Sequence, residues 1–177
     1  MQRDRPPDGL PHELIGEFIV AVAEDRAKAA QLLTQHPALL NARWMHDETV
    51  LHFLAIEGYT EGVQFLIDRG ADVNAINEFG DSVLVDVASL GNDEVAEILL
   101  KHGADPNAAS EVRDNAMHAA AGSGNARLVD LLLKAGANAR YRTSLGETVF
   151  DVYIQRPEKR EAVLAKLAEY GITPDSI

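Results

Sequence analysis

The segment Gly70-Ala71-Asp72-Val73-Asn74-Ala75 returns, at a shift of 33, as Gly103-Ala104-Asp105-Pro106-Asn107-Ala108. An internal period of this length sets the architecture before any single residue is weighed. The same shift relates Gly58, Gly91 and Gly124, and carries Gly70 and Gly103 on to Gly136. Two glycines per unit mark two turns. Between them lie the apolar triplets Phe65-Leu66-Ile67, Ile98-Leu99-Leu100 and Leu131-Leu132-Leu133, with Val63, Ala96 and Val129 three positions before each middle member. That is the stripe of a helix. A first helix precedes each stripe and opens at Thr49, Ser82, Asn115 and Thr148, again 33 apart. All four are residue types whose side chains cap helix N-termini. The apolar positions of these first helices are Leu51 with Ala55, Leu84 with Ala88, Met117 with Ala121, and Phe150 with Ile154, the small alanines allowing close helix approach.

These residues resemble the ankyrin repeat, whose pattern runs T-P-L-H-x-A, a glycine turn, then L-L-L-x-x-G-A-D-x-N-A. The resemblance is clear over 44–146 and implies an all-α helical repeat solenoid of about five helix-turn-helix units with degenerate terminal caps. Leu33, Asn41 and Ala42, 33 before Leu66, Asn74 and Ala75, define a degenerate first unit at 11–43. Three repeats follow at 44–76, 77–109 and 110–142, and 143–177 supplies a last helix pair, with residues 1–10 a flexible lead-in. The family's proline is replaced by Val50, Val83, Ala116 and Val149. Valine is a weaker helix former than a proline pre-set for the first turn, so lower stability than a proline-bearing array is expected.

Sixteen Lys plus Arg against 28 Asp plus Glu leave a net charge of −12, which repels nucleic acid and anionic membranes and favours basic partners. The chain has no cysteine, hence neither disulfides nor thiolate metal sites. No secretory core follows Met1, and no apolar run is long enough to span a bilayer, so a cytoplasmic location is expected.

Catalytic signatures are missing: no phosphate-binding glycine loop, nucleophile elbow or cysteine nucleophile occurs, and no cofactor is expected. By resemblance, His52 and His118 brace neighbouring turns through hydrogen bonds, using both ring nitrogens. His46-Asp47-Glu48 is the densest polar triplet. Adjacent turn residues diverge, so it lacks the convergence that a metal or acid/base site requires.

The interaction surface is more informative. Glu48, Asp81, Asp114 and Glu147 stand immediately before each helix cap, and Glu78 and Glu111 repeat the acid three positions earlier. Favourable helix dipoles alone would explain such a column. The distribution of charge goes further. Residues 44–76 hold six acids and one base and residues 77–109 seven acids and one base, which accounts for eleven of the twelve net charges. Interleaved with them are Met45, Phe79, Val112 and Leu145 on the turns, and Phe53, Ile56 and Leu90 on the helices. Trp44 stands where the family usually has a turn aspartate. Aromatic groups ringed by charge have the composition of a protein-binding hot spot; the plainer alternative is that Trp44 and Phe53 cover the first unit.

The sequence thus points to a non-enzymatic protein-protein interaction module. Its candidate contacts are Trp44, Met45, His46, Glu48, Phe53, Ile56, Glu57, Glu78, Phe79, Asp81, Asp86, Leu90, Glu111, Val112 and Asp114. The apolar members would supply affinity while Glu48, Glu57, Glu78, Asp81 and Asp86 steer a basic partner. Small size and acidity suggest an immunity or antitoxin-type inhibitor; an adaptor that holds a partner without inhibiting it is the alternative, and an enzyme using His46 a remote one. Beyond residue 110 the bases Arg113, Arg127, Lys134, Arg140 and Arg142 reverse the sign. A monomer is the default, with head-to-tail self-association left open.

Overall fold

A computed structural model describes residues 9–110, 114–154 and 156–176, with Asp114 described by its backbone alone. Among the described residues there are nine α-helices: α1 (His12–Glu24), α2 (Arg26–Gln35), α3 (Val50–Ile56), α4 (Thr60–Ile67), α5 (Val83–Leu90), α6 (Asp93–Lys101), α7 (Ala116–Ser123), α8 (Ala126–Lys134) and α9 (Pro157–Glu169). The first eight form consecutive hairpins, each helix packing on its neighbour. Across units, α3 packs on α1, α5 on α3 and α7 on α5, while α6 packs on α4, α8 on α6 and α9 on α8. Two helical layers result, as an all-α repeat solenoid requires.

The repeat works through three devices. Caps set the helix starts. The Thr49 hydroxyl accepts from His52 N–H at 3.3 Å, Ser82 Oγ from Val85 N–H at 3.3 Å, and Asn115 Oδ1 from His118 N–H at 3.0 Å. Small side chains bring the helices together, since Ala55, Ala88 and Ala121 are wholly buried between layers. Asparagines tie the units in series. Asn41 Oδ1 accepts from Asp72 N–H at 3.0 Å, Asn74 Oδ1 from Asp105 N–H at 2.8 Å, and Asn107 Oδ1 from Asn138 N–H at 2.7 Å. Asn74 and Asn107 also donate through Nδ2 to the carbonyls of Gly103 and Gly136, each at 3.1 Å.

The valines in place of proline are absorbed by the core. Val50, Val83, Ala116 and Val149 are all buried, and each valine gains about 1.5–3 kcal/mol of burial, which offsets its weaker helix preference.

Three of the long turns pair at their bases. Arg43 bridges Thr49, Ile76 bridges Ser82, and strand β1 (Ala109–Ser110) runs antiparallel to β2 (Asp114–Asn115).

The last unit departs from the expected helix pair. Thr148 caps no helix; its N–H and hydroxyl both donate to Asp151 Oδ2, at 2.6 and 2.7 Å, closing a turn. Val149, Phe150, Val152, Tyr153 and Ile154 are β-branched or aromatic, and Pro157 disfavours helical geometry at Arg156. A short run of weak formers therefore stays non-helical. The turn nonetheless delivers buried Ile154 beside Gly124, where an added Cβ would stand 2.9 Å from Lys159 Cβ and 3.2 Å from Ile154 Cγ2. Gly124, at φ 71°, is needed both for the end of α7 and for this close approach.

Candidate protein-binding face

The turns of units two and three are joined at their tips. Glu78 N–H donates to the His46 carbonyl at 2.9 Å, His46 Nδ1 lies 2.6 Å from Glu78 Oε1, and the His46 and Phe79 rings stand 5.7 Å apart. Arg43 holds the base of the first tip by donating to the Asp47 carbonyl at 2.7 Å and to that of Ile76. This clamp fixes Phe79, 42% exposed, at the mouth of a hollow between the units. The hollow is open, about 290 Å³, and lined by Glu48, Ile56, Asn77, Phe79, Asp86, Ser89 and Leu90. Five of the fifteen candidate contacts meet there.

The other candidates divide. Met45 and Leu90 are 55% and 59% exposed, and Glu57, Glu78 and His46 also face solvent. Among the described residues no lysine or arginine forms an ion pair with Glu57 or Glu78. Trp44 turns away. Its ring packs on α1, tilted 39° against His12 at 5.1 Å with Cη2 3.3 Å from the position of a Cβ on Gly16. Phe53 is half-buried against the core. Trp44 thus covers the first unit, the plainer of its two expected roles, while both side chains remain half-buried rather than fully presented to solvent.

Asp81 and Asp86 require a larger correction, because they are 0% and 3% exposed and cannot act as surface steering charges. Asp81 sits within the stack, its carbonyl 3.4 Å from His52 Nε2. Asp86 lies at the floor of the hollow, where Asn77 Nδ2 donates to its Oδ2 at 3.2 Å. Spacing alone misassigned them because a place in the repeat does not fix exposure: Asp81 precedes the Ser82 cap and Asp86 lies in the first turn of α5, and both are buried. Glu111 and Val112, like Arg113 and Met1 to Asp8, lie outside the described residues, as does the Asp114 side chain.

Two further residues belong to this face, Asn77 and Ser89, which line the hollow. The repeat shift could have found Ser89, because it is the counterpart of Ile56 one unit on.

His52 is a structural residue. Its Nδ1 accepts from Thr49 N–H at 3.3 Å and lies 2.8 Å from the Thr49 hydroxyl, leaving Nε2 to donate toward Asp81. Burial drives its pKa down to about 4, against the opposing bond to Asp81. His118 is buried too, with Nδ1 3.0 Å from Asn115 Oδ1. The remote catalytic candidate, His46, bonds to Glu78 while Asp47 pairs with Arg43 at 3.7 Å, so the triplet's groups diverge. Among the described residues, no group of three His, Asp or Glu is placed to hold a metal.

With this geometry in view, the family match follows the units. A model of ankyrin repeats in three copies matches residues 18–110, and a single ankyrin repeat model matches 113–144. The chain belongs to the ankyrin repeat family, and its repeats constitute a protein-protein interaction module. The human protein described as NAD-capped RNA hydrolase NUDT12 is 36% identical over 70 residues, covering 39% of this chain and 15% of that protein. Its counterparts in Macaca fascicularis and Pongo abelii are each 36% identical over 67 residues, 37% of this chain and 14% of theirs. The chain thus spans only about a seventh of the length of those relatives. No helix among the described residues is long and apolar enough to cross a membrane.

Proposed function

We propose that the chain is a non-enzymatic binding module that captures a basic protein on the face formed by units two and three. The observation that carries this reading is one juxtaposition: the exposed acids Glu57 and Glu78 flank an open hollow walled by Ile56, Phe79 and Leu90. Apolar contact supplies affinity, and acids that pair with no lysine or arginine among the described residues accelerate encounter with a cationic surface. Blocking a cationic enzyme, as an immunity protein or antitoxin does, is the use we favour; scaffolding a partner that remains active is the alternative.

The test joins capture to kinetics. Proteins retained from native extract by the wild-type chain are identified, and association with each is then measured for the chain and for Glu57→Lys combined with Glu78→Lys. A basic partner is expected, with association slowed on the order of tenfold at low salt and far less at high salt. A partner of neutral or acidic charge, or unchanged rates, overturns the reading. Activity of the captured partner then separates inhibition from scaffolding.

A further inference from the structure

Burial recurs at matching positions of the first helices, which fixes what they turn outward. Phe18, Ala21 and Val22 of α1 are buried, and so are their counterparts 33 residues on, Leu51, Leu54 and Ala55 of α3. Since α1 packs on α3 and α3 on α5, Val20 and Glu24 stand next to Phe53 and Glu57, and Ile56 and Glu57 next to Ser89 and Leu90. Val20, Phe53, Ile56 and Leu90 thus form an oblique apolar strip across three helices, with Val20 55% and Leu90 59% exposed. Glu24 and Glu57 border it. Both face solvent, and among the described residues neither carboxylate has a hydrogen bond or an ion pair.

The strip runs into the hollow, whose polar floor is already bonded. Asn77 donates to the Asp86 carboxylate at 3.2 Å, and the Ser89 hydroxyl to the Asp86 carbonyl at 2.7 Å. An apolar side chain seated between Ile56, Phe79 and Leu90 breaks neither bond. Spacing then selects the shape of the guest. Packed helices stand about 8–10 Å apart, which sets the interval between the Glu24 and Glu57 positions. On an α-helix, residues i and i+7 share a face about 10.5 Å apart. On an extended strand, residues of one face fall about 6.6 or 13 Å apart and miss the interval. A polyproline helix repeats every three residues, about 9.3 Å, but its single-file rows are too narrow where Phe53 and Ile56 stand side by side on α3. The apolar stripe of an amphipathic α-helix has the width as well as the interval.

We infer that the partner enters this face with a basic amphipathic α-helix laid obliquely across α1, α3 and α5. Its apolar stripe covers Val20, Phe53, Ile56 and Leu90, with one side chain in the hollow beside Phe79, and two basic residues seven apart meet Glu24 and Glu57. Crossing three helices takes about 20 Å, or about fourteen residues of helix. This rests on the reading of units two and three as the binding face, extends that face onto unit one and names the element the basic partner presents.

Synthetic peptides test the fit without the natural partner. The 15N-labelled chain is titrated with a peptide of about fourteen residues, carrying leucine at i, i+3, i+4 and i+7 and lysine at two flanking positions seven apart, and with the same peptide interrupted by a central proline. The uninterrupted peptide is expected to shift the amides of Val20, Phe53, Ile56 and Leu90, to gain helical circular dichroism as it binds, and to have a Kd on the order of 10–100 μM. Proline should weaken binding at least about tenfold. Glu24→Lys combined with Glu57→Lys should weaken it about tenfold at low salt, and Val20→Ser about threefold. Glu94→Lys combined with Glu161→Lys changes net charge equally at two exposed positions of α6 and α9, in the other helical layer, and should leave binding within about twofold. Equal binding of the proline peptide, equal weakening by the two charge reversals, shifts centred elsewhere, or no shifts at all overturns the inference, the first and the last two from the wild-type chain alone. The two tests fail separately. Salt-dependent capture of a basic partner beside a silent peptide removes only the helix, whereas peptide binding beside a captured partner of neutral or acidic charge removes the reading of the face.

Discussion

Units two and three occupy equivalent backbone positions one repeat apart, yet around the hollow the paired residues differ in character. Phe53 answers to Asp86, Ile56 to Ser89 and Glu57 to Leu90 along the first helices, while Met45 answers to Glu78 and His46 to Phe79 on the turns. Unit two is thus apolar where unit three is polar, and the reverse. The pairs inside the stack behave otherwise: Leu51 with Leu84, Ala55 with Ala88 and Leu66 with Leu99 are buried and conservative. The shared pattern specifies the solenoid, and its inversion between neighbours creates a hollow with walls from both units and a floor from one. A binding site here is a difference between repeats, not a property of a repeat.

The acidic column before the helix caps is where this comparison breaks most sharply. Glu48 is partly exposed and Asp81 fully buried, although both precede a capping residue. Asp81→Lys would place a longer, oppositely charged side chain inside the stack and is expected to cost at least about 3 kcal/mol. Glu48→Lys should cost about 1 kcal/mol or less. Urea unfolding of both variants at neutral pH measures the gap, and equal losses would mean the two positions are equivalent after all.

The next difference lies between His52 and Val85, one helical turn into α3 and α5. His52 must stay neutral in the fold, because burial holds its pKa near 4 against an ordinary 6.5. The unfolded chain therefore takes up the proton first as pH falls. Stability is unaffected well above pH 6.5, declines as the pH drops below it, and reaches its full loss below about 4. The contribution between pH 7 and pH 4.5 is about 2 kcal/mol. His52→Val, copying unit three, sacrifices the capping bonds but should flatten the acid limb by this amount in urea unfolding at the two pH values. An unchanged limb would assign the acid sensitivity to the carboxylates.

Much of this was legible in advance, for a physical reason. Cap residues, buried alanines and turn asparagines act through local geometry that recurs once per unit, so their spacing alone located α3 to α8. The terminal units were harder to read. Thr148 has the right residue type and interval for a cap, but the segment it introduces lacks helix formers before Pro157. Exposure was least legible. A carboxylate's position in a column does not reveal whether it points outward, as Glu57 does, or inward, as Asp81 and Asp86 do. Nor does composition reveal that Trp44 lays its ring on Gly16 and His12.

The smallest difference is in the backbone itself. Gly80 and Gly146 occupy left-handed conformations at φ 76° and 80°, and the equivalent residue of unit two is Asp47, at φ 56° beside His46 at φ 55°. Among the described residues these are the two non-glycine side chains with positive φ. Aspartate tolerates this region better than most residues but still incurs a cost on the order of 1 kcal/mol that glycine avoids. Asp47→Gly forfeits an exposed pairing with Arg43, itself worth less than about 1 kcal/mol, and keeps the carbonyl to which Arg43 donates. A net gain of about 0.5 kcal/mol is expected, whereas Asp47→Ala, with a Cβ but no carboxylate, should lose about 1 kcal/mol. If alanine proved as stable as glycine in thermal unfolding, the left-handed turn would carry no strain, and the clamp that sets Phe79 over the hollow would rest on His46, Glu78 and Arg43 alone.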